Sequence, residues 1–166
     1  MAADDVDRIV SAWRRERPDL DVSPLEVLSR VSRLARRLDR ARGRAFAGTG
    51  LDGWEFDVLS ALRRAGAPYE LSPGALVSET LVTSGTMTNR VDRLAARRFV
   101  ERHPDPGDRR GVLVRLTTEG MAAVDTALAE LIAHEHELLA ELDPDERQAL
   151  AALLRRLLRP FETGPA

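Results

Sequence analysis

Residues 83–116 decide the fold, and they read TSGTMTNRVDRLAARRFVERHPDPGDRRGVLVRL. The pattern predicts a helix to about Arg97 and then two short strands, 99–103 and 111–116. A polar turn that is rich in proline, glycine and arginine joins the two strands. A shorter helix is predicted just before this stretch, over residues 72–79. Short helix, turn, longer helix and hairpin together predict a winged helix–turn–helix, a DNA-binding arrangement.

The longer helix has two different sides. At about 100° per residue, Met87, Val91 and Leu94 share an apolar side that is expected to face the core. The residues predicted to contact DNA lie on the opposite side or near the helix N-terminus: Ser84, Thr86, Thr88, Asn89 and Arg93. Asparagine pairs with adenine, and arginine pairs with guanine or phosphate. The alternative is a winged helix that contacts proteins instead of DNA.

The turn between the strands forms the predicted wing. Arg109 and Arg110 lie at its tip, where guanidinium groups suit the negative potential of a minor groove. Asp108 is predicted to hold Arg110 through a charge-assisted hydrogen bond, which makes it part of the DNA-binding set. Its alternative role is that of a plain turn residue.

Helices are predicted on both sides of this unit, so the fold is expected to be mainly α with a small β-wing. A short helix with an apolar stripe should end before Pro18, and a capping box of residues 23–26 should open the next one. A mostly buried helix is expected over about 52–65. Three further helix caps are predicted: Thr83 or Ser84, Thr117 and Asp143.

Charge is segregated along the chain, although the formal net charge is only −2. Residues 30–44 hold seven arginines and one acid, a balance of +6. Residues 83–115 hold eight arginines and four acids, a balance of +4, while residues 119–151 hold nine acids and one arginine, a balance of −8. Local fields of this kind attract or repel an anion more than the net charge does.

Several classes of protein are excluded by composition. The 166 residues suit one domain, and the absence of cysteine excludes disulfides, thiolate metal sites and thiol redox sensing. No apolar run is long enough to span a membrane, and no secretory signal is present, so a cytoplasmic protein is expected. No catalytic motif or cofactor site is predicted. A metal site is not predicted either, because His134 and His136 diverge by about 200° on a helix.

The wing sequence resembles that of the multiple-antibiotic-resistance regulator (MarR) family, in particular its PecS-type branch. The resemblance covers about residues 5–160 and is carried by four stretches: WRRERPDLD (13–21), WEFDVL (54–59), SGTMTNR (84–90) and DRRGVLVRLTTEG (108–120). It implies a homodimeric repressor of palindromic operator DNA, intertwined through its N- and C-terminal helices. The implied segments are an extra helix and dimerisation arm (4–48), the winged unit (52–116) and C-terminal dimerisation helices (117–160). The alternative is that the terminal helices pack only within the monomer.

Members of this branch respond to urate, and the resemblance implies a ligand site formed by Trp13, Asp57 and Arg90. A planar anion such as urate can stack on an indole and accept paired hydrogen bonds from a guanidinium. In the absence of ligand, Asp57 is expected to pair with Arg90. The alternative roles are a packing anchor for Trp13, a solvated side chain for Asp57 and a phosphate contact for Arg90. A ligand-independent architectural DNA binder is the remaining alternative function.

Overall fold

Seven helices and a small sheet make up the described part of the computed structural model, which covers residues 3–108 and 110–162. The helices are α1 (Asp5–Glu16), α2 (Pro24–Ala47), α3 (Gly53–Arg64), α4 (Pro73–Thr80), α5 (Ser84–Ala96), α6 (Thr118–Leu138) and α7 (Pro144–Glu162). The strands are β1 (Glu70–Leu71), β2 (Val100–Pro104) and β3 (Val112–Leu116). This architecture confirms a mainly α fold with a small β-wing.

The sheet is antiparallel, with the strand order β1-β3-β2. Strands β2 and β3 pair Val100 with Leu116 and Pro104 with Val112, as expected for a hairpin. Strand β1 was not predicted, because two residues are too short to show an alternating pattern. It extends the wing on the side of β3 and gives the winged unit a three-stranded sheet.

The main core lies where α3, α4, α5 and α6 meet the sheet. Its fully buried residues include Leu59, Leu62, Leu76, Leu94 and Val114. Six of the twelve residues of α3 are buried, in agreement with the mostly buried helix that the sequence predicts. The winged unit shares this core with α6 and with the end of α2, and α5 packs on it through Met87, Val91 and Leu94.

Helix α1 packs on α2 through a separate small cluster of Val6, Val10 and Val22. Ion pairs surround this cluster: Arg30 contacts Asp4 at 2.9 Å and Asp7 at 2.7 Å. Within one chain, acids of the N-terminal helix and its cap thus neutralise part of the arginine-rich α2. This helix is held to α2 by both apolar burial and charge.

The capping box predicted at Ser23 is wrong, although a helix does begin at Pro24. Ser23 already has helical backbone angles, and its side chain makes no cap hydrogen bond. Its hydroxyl and amide instead donate to the carboxylate of Asp21, at 3.1 and 3.0 Å. Because the Ser23 hydroxyl donates to Asp21, it does not cap the start of α2. By contrast, Thr83, Thr117 and Asp143 do accept amide hydrogen bonds at the starts of their helices.

Many leucines of the outer helices are exposed in the single chain. None of the described side chains of α7 is buried. Apolar side chains that are between 36% and 54% exposed lie on α2, α6 and α7: Val27, Leu28, Val31, Leu34, Leu128, Ile132, Leu138, Leu139, Leu150, Leu153, Leu157 and Leu158. A surface of this size and composition is typical of an interface. No helix in the described ranges is long and apolar enough to cross a membrane.

Candidate nucleic-acid interface

Helix α5 presents the predicted recognition residues to solvent. Met87, Val91 and Leu94 are at most 1% exposed, so the predicted apolar side does face the core. Ser84, Thr86, Thr88, Asn89 and Arg93 are all exposed. The structure therefore brings these five residues together on one accessible helix, as the helical phase predicts.

Two of the hydroxyls on this helix also make local hydrogen bonds. The Thr86 hydroxyl lies 2.9 Å from that of the capping residue Thr83, and the Thr88 hydroxyl donates to the Ser84 carbonyl at 3.1 Å. These bonds fix the side-chain rotamers near the start of the helix. The side chain of Asn89 lies beside them as an exposed amide with both donor and acceptor groups.

The first turn of α3 lies against the recognition helix. The guanidinium carbon of Arg93 is 4.7 Å from the ring centroid of Trp54, and that of Arg90 is 5.5 Å from it. Arg93 also lies 3.8 Å from the carboxylate of Asp52. A cavity of about 440 Å³ lies here, lined by Trp54, Gly85, Thr86, Asn89, Arg90 and Arg93. The sequence patterns did not predict that Trp54 belongs to this surface.

An ion pair between a buried glutamate and a partly exposed arginine lies next to this surface. The side chain of Glu55 is 2% exposed, and its Oε2 atom accepts a hydrogen bond from Arg97 Nη1 at 2.5 Å. Neither residue was predicted to act at the site. The Asp52-x-x-Glu55 spacing of a capping box was a visible signal for Glu55, and the structure forms that box.

The wing tip is held by carboxylates that accept backbone amides. Asp105 accepts the Gly107 amide at 2.8 Å, and Asp108 accepts the Arg110 amide at 2.9 Å. The bond from Asp108 is to the backbone N–H two residues on, which is the contact of an Asx turn, so it fits the alternative role of Asp108 as a turn residue. Gly111 is required at this point, because a Cβ atom there would lie 2.8 Å from Asp105 Cβ. Arg109, also predicted to bind DNA, lies outside the described residues.

The three residues of the predicted ligand site lie apart within one chain. Trp13 is on α1 and is 49% exposed. Arg90 lines the cavity beside Trp54, whereas Asp57 lines a second cavity of about 520 Å³ between α2 and α3. Asp57 pairs with Arg42 at 2.9 Å, instead of the expected Arg90. Arg42 is brought there by the stacked rings of Phe46 and Phe56, which lie 5.6 and 5.9 Å from its guanidinium carbon.

Histidines do not converge on a site in the described chain. His134 Nδ1 lies 2.9 Å from the Glu130 carbonyl of its own helix. Across residues 3–108 and 110–162, no group of three or more His, Cys, Asp or Glu side chains is placed to hold a metal ion.

Comparison with known proteins identifies relatives over most of the chain. A family model described as the MarR family matches residues 49–111. The transcriptional regulator PecS of Dickeya dadantii is 40% identical over 153 residues, covering 92% of each chain. A mutant of MarR from Escherichia coli, complexed with operator DNA, matches with a TM-score of 0.68 and 31% identity, over 84% of this chain and 99% of that one. BpsR of Bordetella bronchiseptica, whose DNA binding is regulated by 6-hydroxynicotinic acid, matches with a TM-score of 0.59 and 32% identity, over 77% and 98%.

Proposed function

This chain belongs to the PecS-type branch of the MarR family of transcriptional regulators, and we propose that it represses transcription as a homodimer on palindromic DNA until a small anion releases it. The observation that carries the DNA-binding part is the exposed side of α5, where polar residues and arginine lie opposite a fully buried apolar side. This arrangement suits a helix that enters a major groove.

The proposed DNA contacts divide between the helix and the wing. Asn89 and Arg93 read base edges, since their side chains can form bidentate pairs with adenine and guanine. Ser84 and Thr86 lie in the first turn and Thr88 begins the second, near the helix N-terminus, where hydroxyls and amides favour phosphate. Arg109 and Arg110 enter the minor groove, while Asp108 keeps the turn that carries them in shape.

The exposed leucines of α2, α6 and α7 support a dimer. Residues 4–48 and 117–160 form the proposed dimerisation segments, and 52–116 forms the winged unit. Pairing the apolar surfaces removes them from water, which is favourable by about 25 cal/mol per Å² of buried apolar area. A two-fold dimer also places two recognition helices about one DNA turn, roughly 34 Å, apart, as a palindrome requires.

The proposed effector is a planar aromatic or acidic anion, such as urate. Trp13, Asp57 and Arg90 are its proposed binding residues, on the basis of their positions in the family motifs. Arg90 lies beside the indole of Trp54 and lines an open cavity, so its guanidinium is accessible to an anion. The relative BpsR supports this ligand chemistry, because 6-hydroxynicotinic acid is itself a planar aromatic acid.

A gel-shift experiment tests the DNA-binding part of the proposal. The wild-type protein first selects its preferred duplex from a randomised DNA pool, and Asn89→Ala and Arg110→Ala are then compared with it on that duplex. We expect each substitution to lower the affinity by about tenfold or more, since a base contact contributes roughly 1–3 kcal/mol. Indifference to both substitutions favours a winged-helix module that contacts proteins.

The effector part has its own test on the same duplex. Urate, related purines, trans-aconitate and salicylate are titrated into the bound complex, and at least one is expected to release the DNA. Trp13→Phe is expected to weaken that release while the affinity for DNA stays unchanged. DNA binding that no ligand alters would favour a ligand-independent architectural protein.

A further inference from the structure

Glu55 is a carboxylate with almost no access to water. Within the described ranges 3–108 and 110–162, it is the only charged residue that is fully buried, at 1% exposure. Burial of a carboxylate is costly unless hydrogen-bond donors surround it. Its Oε2 atom accepts two: the Asp52 amide at 2.9 Å and Arg97 Nη1 at 2.5 Å. These two hydrogen bonds to a buried carboxylate fix the position of the Arg97 guanidinium relative to the start of α3.

Arg97 supplies that geometry from the end of the recognition helix. It is the residue that directly follows α5, and its guanidinium makes three contacts. Nη1 donates to Glu55 in α3, Nη2 donates to the Gly50 carbonyl at 2.9 Å, and the guanidinium carbon lies 4.5 Å from the ring centroid of Phe99. One side chain thus joins the end of α5 to α3, to the turn after α2, and to the start of β2.

The planar fork of arginine suits this role better than lysine. Its terminal nitrogens point in fixed directions and donate to two different acceptors at once, while its face stacks on an aromatic ring. Nη1 and Nη2 each donate a hydrogen bond within the protein, so the guanidinium is held against α3 and the turn after α2 although the side chain is 40% exposed. The neighbouring Arg90 and Arg93 lie over the ring of Trp54, and Arg93 also approaches Asp52 at 3.8 Å.

We propose that Arg97, held by Glu55, is a positioning residue for sequence-specific DNA binding. It sets the angle of α5 relative to the junction of α2 and α3, so the base-reading side chains reach the groove in register. It does this without touching DNA. The inference rests on the proposed function of α5 as the recognition helix, and it adds a residue on which specificity depends indirectly.

The test compares two affinities for each variant: that for the duplex selected by the wild-type protein, and that for a scrambled duplex of equal length and composition. Binding to the scrambled duplex depends on charge, whereas selective binding also requires register. Arg97→Gln is expected to lower the ratio of the two affinities by about tenfold, which corresponds to 1.4 kcal/mol. The matched control is Arg98→Gln, which removes the same charge one residue away and is expected to leave the ratio unchanged.

For Glu55→Gln, a purely electrostatic effect and a positioning role predict changes of opposite sign in the affinity for the selected duplex. Removing a negative charge tightens binding to any DNA if only the overall field matters. If Glu55 positions Arg97, the affinity for the selected duplex falls while that for the scrambled duplex stays equal or rises. The amide oxygen of glutamine can still accept the Asp52 amide, so the start of α3 is expected to remain folded.

The folded state of each variant is checked by circular dichroism and thermal unfolding. If Arg97→Gln is unfolded, Arg97→Lys replaces it and is expected to lower the ratio, because an ammonium lacks the fork and the ring contact. A folded Arg97 variant that keeps the wild-type ratio overturns the inference, as does an equal effect of Arg98→Gln. A wild-type protein that selects no duplex overturns the proposed function itself, and the inference with it.

Discussion

Substitution of Gly120 by alanine is expected to disrupt the joint between the wing and α6. Gly120 is buried in the first turn of α6, and a Cβ atom there would lie 2.1 Å from the Phe99 carbonyl oxygen and 3.1 Å from Leu116 Cδ1. An ordinary C···O contact is about 3.3 Å or longer, so the two segments must separate by about 1 Å. No rotamer change relieves the clash, because the nearest atom belongs to the backbone.

The cost follows from the hydrogen bonds at the same joint. The Thr117 amide donates to the Phe99 carbonyl at 3.1 Å, and the Thr117 hydroxyl lies 2.7 Å from the Arg98 carbonyl. Loss of two such bonds costs about 2 kcal/mol. Overpacking adds about 1–3 kcal/mol, and the better helix propensity of alanine returns about 1 kcal/mol. The expected net loss is therefore about 2–4 kcal/mol, or roughly 5–15 °C in Tm for a chain of this size.

Urea and thermal unfolding at one fixed protein concentration measure this loss, since the stability of a dimer depends on concentration. The matched control is Gly43→Ala. It makes the same substitution within α2, where a Cβ atom meets nothing within 4 Å. That variant is expected to be more stable than the wild type by about 0.5–1 kcal/mol. If Gly120→Ala is as stable as the wild type, the close approach of Gly120 to the Phe99 carbonyl is refuted.

Two further predictions concern the outer helices. The guanidinium of Arg30 and amides of the first turn hold the pKa of Asp4 below its usual value, so this carboxylate stabilises the docking of α1 at neutral pH. That contribution is present above the usual aspartate pKa of about 3.9 and is lost as the pH falls through the lowered pKa, so the docking of α1 is expected to weaken below about pH 4. A red shift of Trp13 fluorescence in a Trp54→Phe protein would report the weaker docking. Leu153→Glu adds a charge to an apolar side chain that is 54% exposed on α7, and it is expected to yield monomers in sedimentation with weakened operator binding. An equal effect of Gln148→Glu, an exposed polar position of the same helix, would contradict a specific interface.

Local patterns predicted the recognition helix well because its features depend on nearby residues. Helical phase alone separates Met87 and Leu94 from Asn89, and the cap at Thr83 needs only the amide three residues on. Phase also indicated a solvated Asp57, and the structure does leave that side chain exposed. Periodicity was a good guide to Asp57 in the single chain.

Features that depend on distant residues were missed. Glu55 and Arg97 are 42 positions apart, and no spacing rule connects a capping-box glutamate with an arginine at the end of another helix. The predicted Asp57–Arg90 pair failed for a related reason. Arg42, brought near by Phe46 and Phe56, is the guanidinium that reaches Asp57. Local pattern indicates which residues are charged, but tertiary packing decides which charges meet.

The arginines of the recognition helix therefore differ in what they can contribute to DNA affinity. Each phosphate contact releases condensed counterions and steepens the salt dependence, by about 0.9 in the logarithmic slope. We expect Arg97 to add less to that slope than a freely exposed arginine, because two of its five N–H donors already bond within the protein. Arg93 must exchange the nearby Asp52 carboxylate for a phosphate or base, so part of its attraction offsets a contact that already exists. A count of arginines thus overestimates the electrostatic part of binding, since part of their charge is already engaged within the protein.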